Sequence, residues 1–184
     1  MVNRASRFGI LVAVAACVGA LAGPAAATDS QPLRLASQIS AVNSMEPQVL
    51  AQINQIRTSR GLAALRLSAS LSAAADQHSL EMAQDGYFAH NSFNGGAFDK
   101  RIAHFYGIGK FHYWSVGENL LWRAPDIDAA TALQMWMESP DHRANLLDPR
   151  WREIGLSAVR ATGASGVYAG LDATIITTDF GVRR

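Results

Sequence analysis

The sequence has 184 residues and a formal net charge of +1, enough chain for one domain with a sizeable core. So even a charge balance leaves no basic footprint for nucleic acid. A single cysteine excludes an internal disulfide framework or a thiolate-built metal site.

Arg4 and Arg7 give a basic start, and residues 9–22 form an apolar run of small and aliphatic side chains. Pro24 and Ala25-Ala26-Ala27 follow, ahead of Thr28. This is the layout of a secretory signal peptide over 1–27. The apolar run falls short of the about 20 residues that a permanent span needs. A lipoprotein anchor at Cys17, after Val14-Ala15-Ala16, is the lesser alternative, because the apolar run continues past it. Cleavage near Ala27 removes the cysteine and both arginines, so the exported chain has no thiol and a formal charge of −1.

Residues 28–45 lack periodicity and read as a linker or N-terminal arm, with the folded domain over 46–184. From Pro47, Val49, Leu50, Ile53 and Ile56 share one helical face, with Gly61 just past its end. A second helix starts at a Ser68 cap, buries Leu71, Ala75, His78 and Met82, and stops at Gly86. A third, over 98–106, repeats Phe98, Ile102 and Phe105. The fourth follows Pro125 with Asp126 as its expected cap, turns Ala129, Leu133 and Trp136 inward, and is interrupted at Ser139-Pro140. Strands are expected over 113–122, 154–160, 167–172 and 174–180, with a hairpin loop over 162–166. Helices early and strands late predict an α+β domain, an antiparallel sheet covered by helices.

Three ionisable groups stand where no solvent face is expected. His90 lies in GYFAHNSF, just beyond the second helix. Glu118 lies in SVGENLLW, inside a strand with apolar neighbours, where an unpaired carboxylate is costly. His142 lies in MESPDHRANLLDPRW, after the break at Pro140. They are too far apart in sequence for a local metal motif, so only tertiary folding can join them. For His90 and His142 singly, a capping or end-of-helix role is the plainer reading. His78 reads as a core histidine, and His104 and His112 as surface residues. Asn119, Asp141, Arg143 and Asn145 read as scaffold that fixes the neighbouring site residues. No serine carries a nucleophile elbow.

The ordered set FAHNSF, VGENLLW and MWMESPDHRANLL, closed by IGLSAV and TTDFG, resembles the CAP superfamily, specifically its bacterial secreted members. That superfamily comprises cysteine-rich secretory proteins, antigen 5 and pathogenesis-related 1 proteins. The resemblance covers roughly 47–181. It implies a three-layer α-β-α sandwich and a cleft in which His90, Glu118 and His142 meet. The family's second cleft glutamate would fall at Ser139; the glutamate here is Glu138, turned about 100° away by the one-residue shift. Asp99 is the alternative fourth member.

Two imidazoles aimed at one point suit a divalent cation, zinc foremost, with Glu118 as third ligand, orienting partner or base on a bound water. The expectation is a secreted monomer, at the envelope or outside the cell, whose cleft binds a metal ion and a small or lipid-like ligand. A metal-assisted hydrolase using Glu118 as base, and a structural adaptor, are the alternatives.

Overall fold

The computed structural model describes residues 38–184. The expected signal peptide and Cys17 lie outside the described residues. In chain order come β1 (Ile39–Ala41), α1 (Met45–Thr58), β2 (Arg66–Leu67), α2 (Ala69–Asp85), α3 (Phe98–Phe105), β3 (Trp114–Arg123), α4 (Ala129–Glu138), α5 (Pro140–Leu146), β4 (Glu153–Ala164) and β5 (Leu171–Arg183). A single 3-10 turn, Gly166–Tyr168, joins the last two strands. The stretch read as an arm thus ends in β1, which pairs antiparallel with β4.

The sheet runs β1-β4-β5-β3, antiparallel throughout, with two-residue β2 added parallel to β4. Strand alternation sorts its residues onto two faces. Leu156, Ala158, Ile176 and Phe180 pack with Val49, Ile53, Leu133, Trp136 and Leu146 of α1, α4 and α5. Val159, Ala161 and Ile175 face the other way, against Met82 and Ala83 of α2. Two helical layers enclosing one sheet make the α+β sandwich. Each fully buried large apolar side chain contributes about 1.5–3 kcal/mol.

Helix α2 follows its sequence signals closely. Ser68 Oγ accepts from Leu71 N at 3.5 Å, and Gly86 closes the helix at φ 67°, a left-handed geometry that favours glycine. It lies unusually close to the sheet at Gly155, where a Cβ would fall 2.0 Å from Leu71 C and 2.2 Å from Ser72 N. Ser72 Oγ accepts from Leu156 N at 3.3 Å, and Ser79 Oγ donates to Thr177 Oγ1 at 2.8 Å. Those bonds fix the helix along the strands.

Several elements differ from the sequence expectation. The cap of α4 is Asp128, whose Oδ1 accepts from Thr131 N at 2.7 Å, instead of Asp126. Residues 167–172 do not form a strand of their own. Their start belongs to the 3-10 turn, while β4 runs on to Ala164 and takes up most of the expected loop. Ser139, extended before Pro140, does end α4, but α5 begins at once. His142 therefore stands on a short helix rather than a loop. Among the described residues, no helix is long and apolar enough to cross a membrane.

Candidate functional site

Edge strand β3 carries the centre of the site. Its alternation turns Glu118 toward α2 and α3, and Asn119 toward α5. The Glu118 side chain is only 1% exposed, and both of its oxygens are engaged. Oε1 meets His90 Nδ1 at 2.7 Å, and Oε2 accepts a short hydrogen bond from Arg101 Nη2. The other arm of the guanidinium, Nη1, donates to the His90 carbonyl at 2.9 Å. Arg101 thus clamps both the carboxylate and the backbone of the histidine it orients. Sequence reading missed Arg101, yet Phe98, Arg101, Ile102 and Phe105 fall at i, i+3, i+4 and i+7. A charge on that inner stripe was the available signal.

A second carboxyl lies beside Glu118. Asp179 is its cross-strand partner on β5, fully buried. Among the described residues no donor reaches either Asp179 oxygen, and no ion pair touches it. A proton on one of the two carboxyls would supply the missing bond. Burial pushes the Glu118 carboxyl up to about 7 against the pull of Arg101, and burial plus the Glu118 charge pushes Asp179 well above the carboxylate range. Two carboxyls this close cannot both ionise. Of the two, Glu118 has the Arg101 guanidinium and the His90 ring beside it to stabilise its charge and Asp179 has neither, so the neutral form is favoured at Asp179.

That assignment has a measurable consequence. An acid whose folded pKa is raised stabilises the fold least above that pKa, so Asp179 costs stability as pH rises. Asp179→Asn keeps the shape and a donor toward Glu118 but nothing to ionise. Wild type should lose stability relative to Asp179→Asn in urea melts as pH goes from 5 to 8; parallel pH slopes would refute the shared proton. His78, pushed down to about 4 by burial and then by Arg101, has the opposite dependence, losing stability as pH falls below 6.5. It is present in both proteins and cancels in the comparison.

The loop that delivers His90 is anchored from behind. His78, fully buried as expected, uses Nε2–H to bond the Ala89 carbonyl at 2.9 Å. Tyr87 Oη donates to Glu81 Oε2 at 2.7 Å, Phe93 N donates to Glu81 Oε1 at 3.2 Å, and Tyr168 Oη donates to the Tyr87 carbonyl at 2.8 Å. Four bonds over seven residues leave the loop little freedom.

On the other face, α5 presents His142. Asn119 Nδ2 donates to the His142 carbonyl at 3.0 Å. Asn145 Nδ2 donates to the Glu118 carbonyl and to Asn119 Oδ1, each at 3.1 Å. Arg143 Nη1 reaches the Met137 carbonyl at 2.8 Å. Each of these three side chains bonds a backbone carbonyl at or near the histidine-bearing segment. Asp141 makes no capping bond; it sits exposed in the first turn, its charge favouring a protonated His142. A further brace went unread: Arg57, wholly buried in α1, donates to the carbonyls of Leu146 at 2.7 Å and Asp148 at 3.1 Å.

The two histidines come around the edge strand from opposite faces. Burial lowers the pKa of each. Arg101 adds to the effect at His90, and the His90 charge adds to it at His142, so the rings lie within each other's field. With Glu118 anionic, His90 Nδ1 is the donor and Nε2 keeps its lone pair. Among the described residues, the hydrogen bond that holds His142 is to its carbonyl and not to its ring.

Not every candidate joins them. Glu138 is exposed and accepts from Gln134 Nε2 at 2.8 Å, so it is not the fourth cleft carboxylate. Asp99 lies in the first turn of α3, where it complements the helix dipole, with no ion pair to the site. His104 and His112 are exposed. Among the described residues no three His, Cys, Asp or Glu side chains form a group able to hold a metal ion. The readings of Glu118 as third ligand or as base on a bound water meet the same obstacle: both oxygens are occupied and shielded. The geometry leaves it the role of orienting partner. Glu118 is thus not available as a third ligand.

Comparison with known proteins adds the following. Residues 50–175 match the sequence profile of the Cysteine-rich secretory protein family, CAP. The uncharacterized protein YkwD of Bacillus subtilis (strain 168) is 31% identical over 143 residues, 76% of this chain and 52% of that protein. The uncharacterized membrane protein YlbC of the same organism is 30% identical over 115 residues, covering 62% of this chain and 32% of that protein. The chain therefore spans between a third and about half of the length of these relatives. An extracellular protein containing an SCP domain from Bacillus anthracis str. Ames superposes with a TM-score of 0.58 at 28% identity, over 77% of this chain and 41% of that one. An outer surface protein of Borrelia burgdorferi gives 0.64 at 19% identity over 80% and 99%, a likeness of fold alone.

Proposed function

Since the chain belongs to the CAP family of cysteine-rich secretory proteins, we propose that it acts as a binding module outside the cell or at the envelope. In this reading its cleft holds a divalent cation between His90 and His142, and a small or lipid-like ligand beside them. The observation that carries the reading is the 2.7 Å contact between Glu118 Oε1 and His90 Nδ1. A carboxylate behind a histidine fixes its tautomer and raises the basicity of the outward nitrogen, the usual arrangement behind a metal-ligating imidazole. Two neutral imidazoles favour zinc over a hard cation such as magnesium. An ion held there would supply Lewis acidity toward a ligand oxygen.

An apolar rim adjoins the histidines. Phe98 lies 6.2 Å from the His90 ring, and Phe93, 63% exposed, packs on Tyr87 at 5.5 Å. An amphipathic ligand would rest its apolar part there and its polar group at the imidazoles. The secretory pattern over 1–27, and the description of a similar SCP-domain protein as extracellular, support the location.

Zinc titration by calorimetry tests the reading. Binding should be lost in His90→Ala and in His142→Ala, and weakened about 10–100-fold in Glu118→Gln, where the orienting charge is gone. Affinity should fall as pH drops below 6.5, and later than free imidazole would dictate, because both ring pKa values are lowered. If both alanine variants bind zinc like wild type while melting earlier, the residues are structural and the adaptor reading replaces this one. Turnover of a peptide or ester by the zinc-loaded protein, absent in Glu118→Gln, would instead favour the hydrolase.

A further inference from the structure

A concave site lies at the start of β3. A cavity of about 280 Å³ is lined by Tyr113, Arg150, Arg152, Val182, Arg183 and Arg184, with Pro149 at its edge. It starts one residue before β3, five positions and roughly 16 Å along the strand from Glu118. Four of the chain's sixteen basic residues surround this one space.

Little neutralises them. Asp148 is taken by Arg150, and Glu153 by Arg66 and the Tyr106 hydroxyl. Arg152, Arg183 and Arg184 form no ion pair among the described residues. They are nevertheless held in place. The Arg183 guanidinium stacks on Tyr106 at 3.8 Å and donates to the Gly107 carbonyl at 3.2 Å. Arg184 lies over Tyr113 at 4.8 Å, and Arg150 over Trp151 at 5.2 Å. Arg152 Nη1 is shared among the carbonyls of Pro149, Arg150 and Trp151 at 2.7–3.2 Å. Rings and carbonyls immobilise a guanidinium without cancelling its charge. Arg150 keeps its bond to Asp148, but Arg152, Arg183 and Arg184 have no carboxylate side chain of their own among the described residues, so an anion entering the cavity gains their attraction at a reduced ordering cost.

We propose that this cavity binds a phosphate group carried on a small organic body. The chemistry selects phosphate over carboxylate. A carboxylate has two oxygens and satisfies one guanidinium fork, whereas a phosphate offers more acceptors and up to two charges to several forks together. The volume sits at the low end for ligand pockets, so one phosphate with a few further heavy atoms fits and an acyl chain does not. Tyr113 and Val182 give that body a partly apolar wall. Two sources share this chemistry, a soluble phosphate ester and the headgroup of an anionic phospholipid.

The test uses the full chain with NMR titrations of inorganic phosphate and glycerol phosphate, against sodium chloride at equal ionic strength. Both phosphates should shift the amide signals of Tyr113, Val182 and Arg183 with saturation, and the chloride control should not. Affinity should fall at least about tenfold in Arg152→Gln/Arg184→Gln, whose two positions are exposed and spare the core, while His90→Ala leaves it unchanged. Sedimentation with phosphatidylglycerol vesicles, competed by glycerol phosphate and absent with phosphatidylcholine, would assign the headgroup. Soluble binding without sedimentation would assign the free ester. An unsaturable shift matched by chloride, or equal affinity in a folded double variant, would overturn the proposal.

Discussion

Arg101→Met is expected to destabilise the domain by about 3–5 kcal/mol, the usual cost of stripping one partner from a buried ion pair. The substitution keeps most of the apolar stem and removes only the fork that reaches Glu118 Oε2 and the His90 carbonyl. Glu118 would then be a carboxylate out of water with a protonated Asp179 and a neutral imidazole for company. Loss of the guanidinium raises its folded pKa further, so it takes up a proton more readily. A raised acid loses stability as pH rises, so the penalty should be larger at pH 8 than at pH 5 in urea melts. Arg101→Met/Glu118→Gln should recover at least half of it, since no charge is then left unpaired. A loss below about 1 kcal/mol, equal at both pH values, would show that the pair does not hold the site together.

The same ion pair marks the limit of what the sequence discloses. His90, Glu118 and His142 were legible because each sits in a recognisable segment, and because a carboxylate inside an apolar strand asks for a partner. The partner was not legible. An arginine in an amphipathic helix ordinarily faces solvent, and only its place on the stripe of Phe98, Ile102 and Phe105 argues otherwise. Asp179 was harder still. Burial of an aspartate in TTDFG depends on its register against Glu118, and register is a property of two strands together.

Local chemistry explains the rest of the balance. Helix α2 was readable end to end because a serine cap, a 3.6-residue stripe and a left-handed glycine all agree. The α4 cap was misplaced because Asp126 and Asp128 carry the same signal two residues apart, and the bond to Thr131 N decides between them. The segment 167–172 has strand-like composition, yet Gly166, Ala169 and Gly170 all adopt positive φ and turn the chain too tightly for one. Arg57 escaped notice for the reason Arg101 did. Its partners are the carbonyls at the end of α5, 89 and 91 residues away.

Gly155→Ala tests the contact on which the placement of His90 rests, and its expected effect is comparable. The added Cβ would meet Leu71 C at 2.0 Å and Ser72 N at 2.2 Å, which are backbone atoms with no rotamer to change. Helix α2 must lift by about 1 Å or more, since ordinary contacts begin near 3.5 Å. Overpacking of side chains costs about 1–3 kcal/mol; backbone that cannot yield should put this variant at or above the upper end. The lift would also strain the bonds from Ser72 to Leu156 and from Ser79 to Thr177, and shift His78, which holds the Ala89 carbonyl one residue before His90. Gly61→Ala is the control: its Cβ meets nothing within 4 Å, so it carries only the backbone penalty of its own positive φ of 73°, about 1–2 kcal/mol. Thermal melts should therefore place Gly155→Ala clearly below Gly61→Ala, and zinc titration should weaken in the former alone. Equal melting temperatures would mean that α2 rides more loosely on the sheet than these contacts allow, and that His90 owes its position to the loop bonds and Arg101 instead.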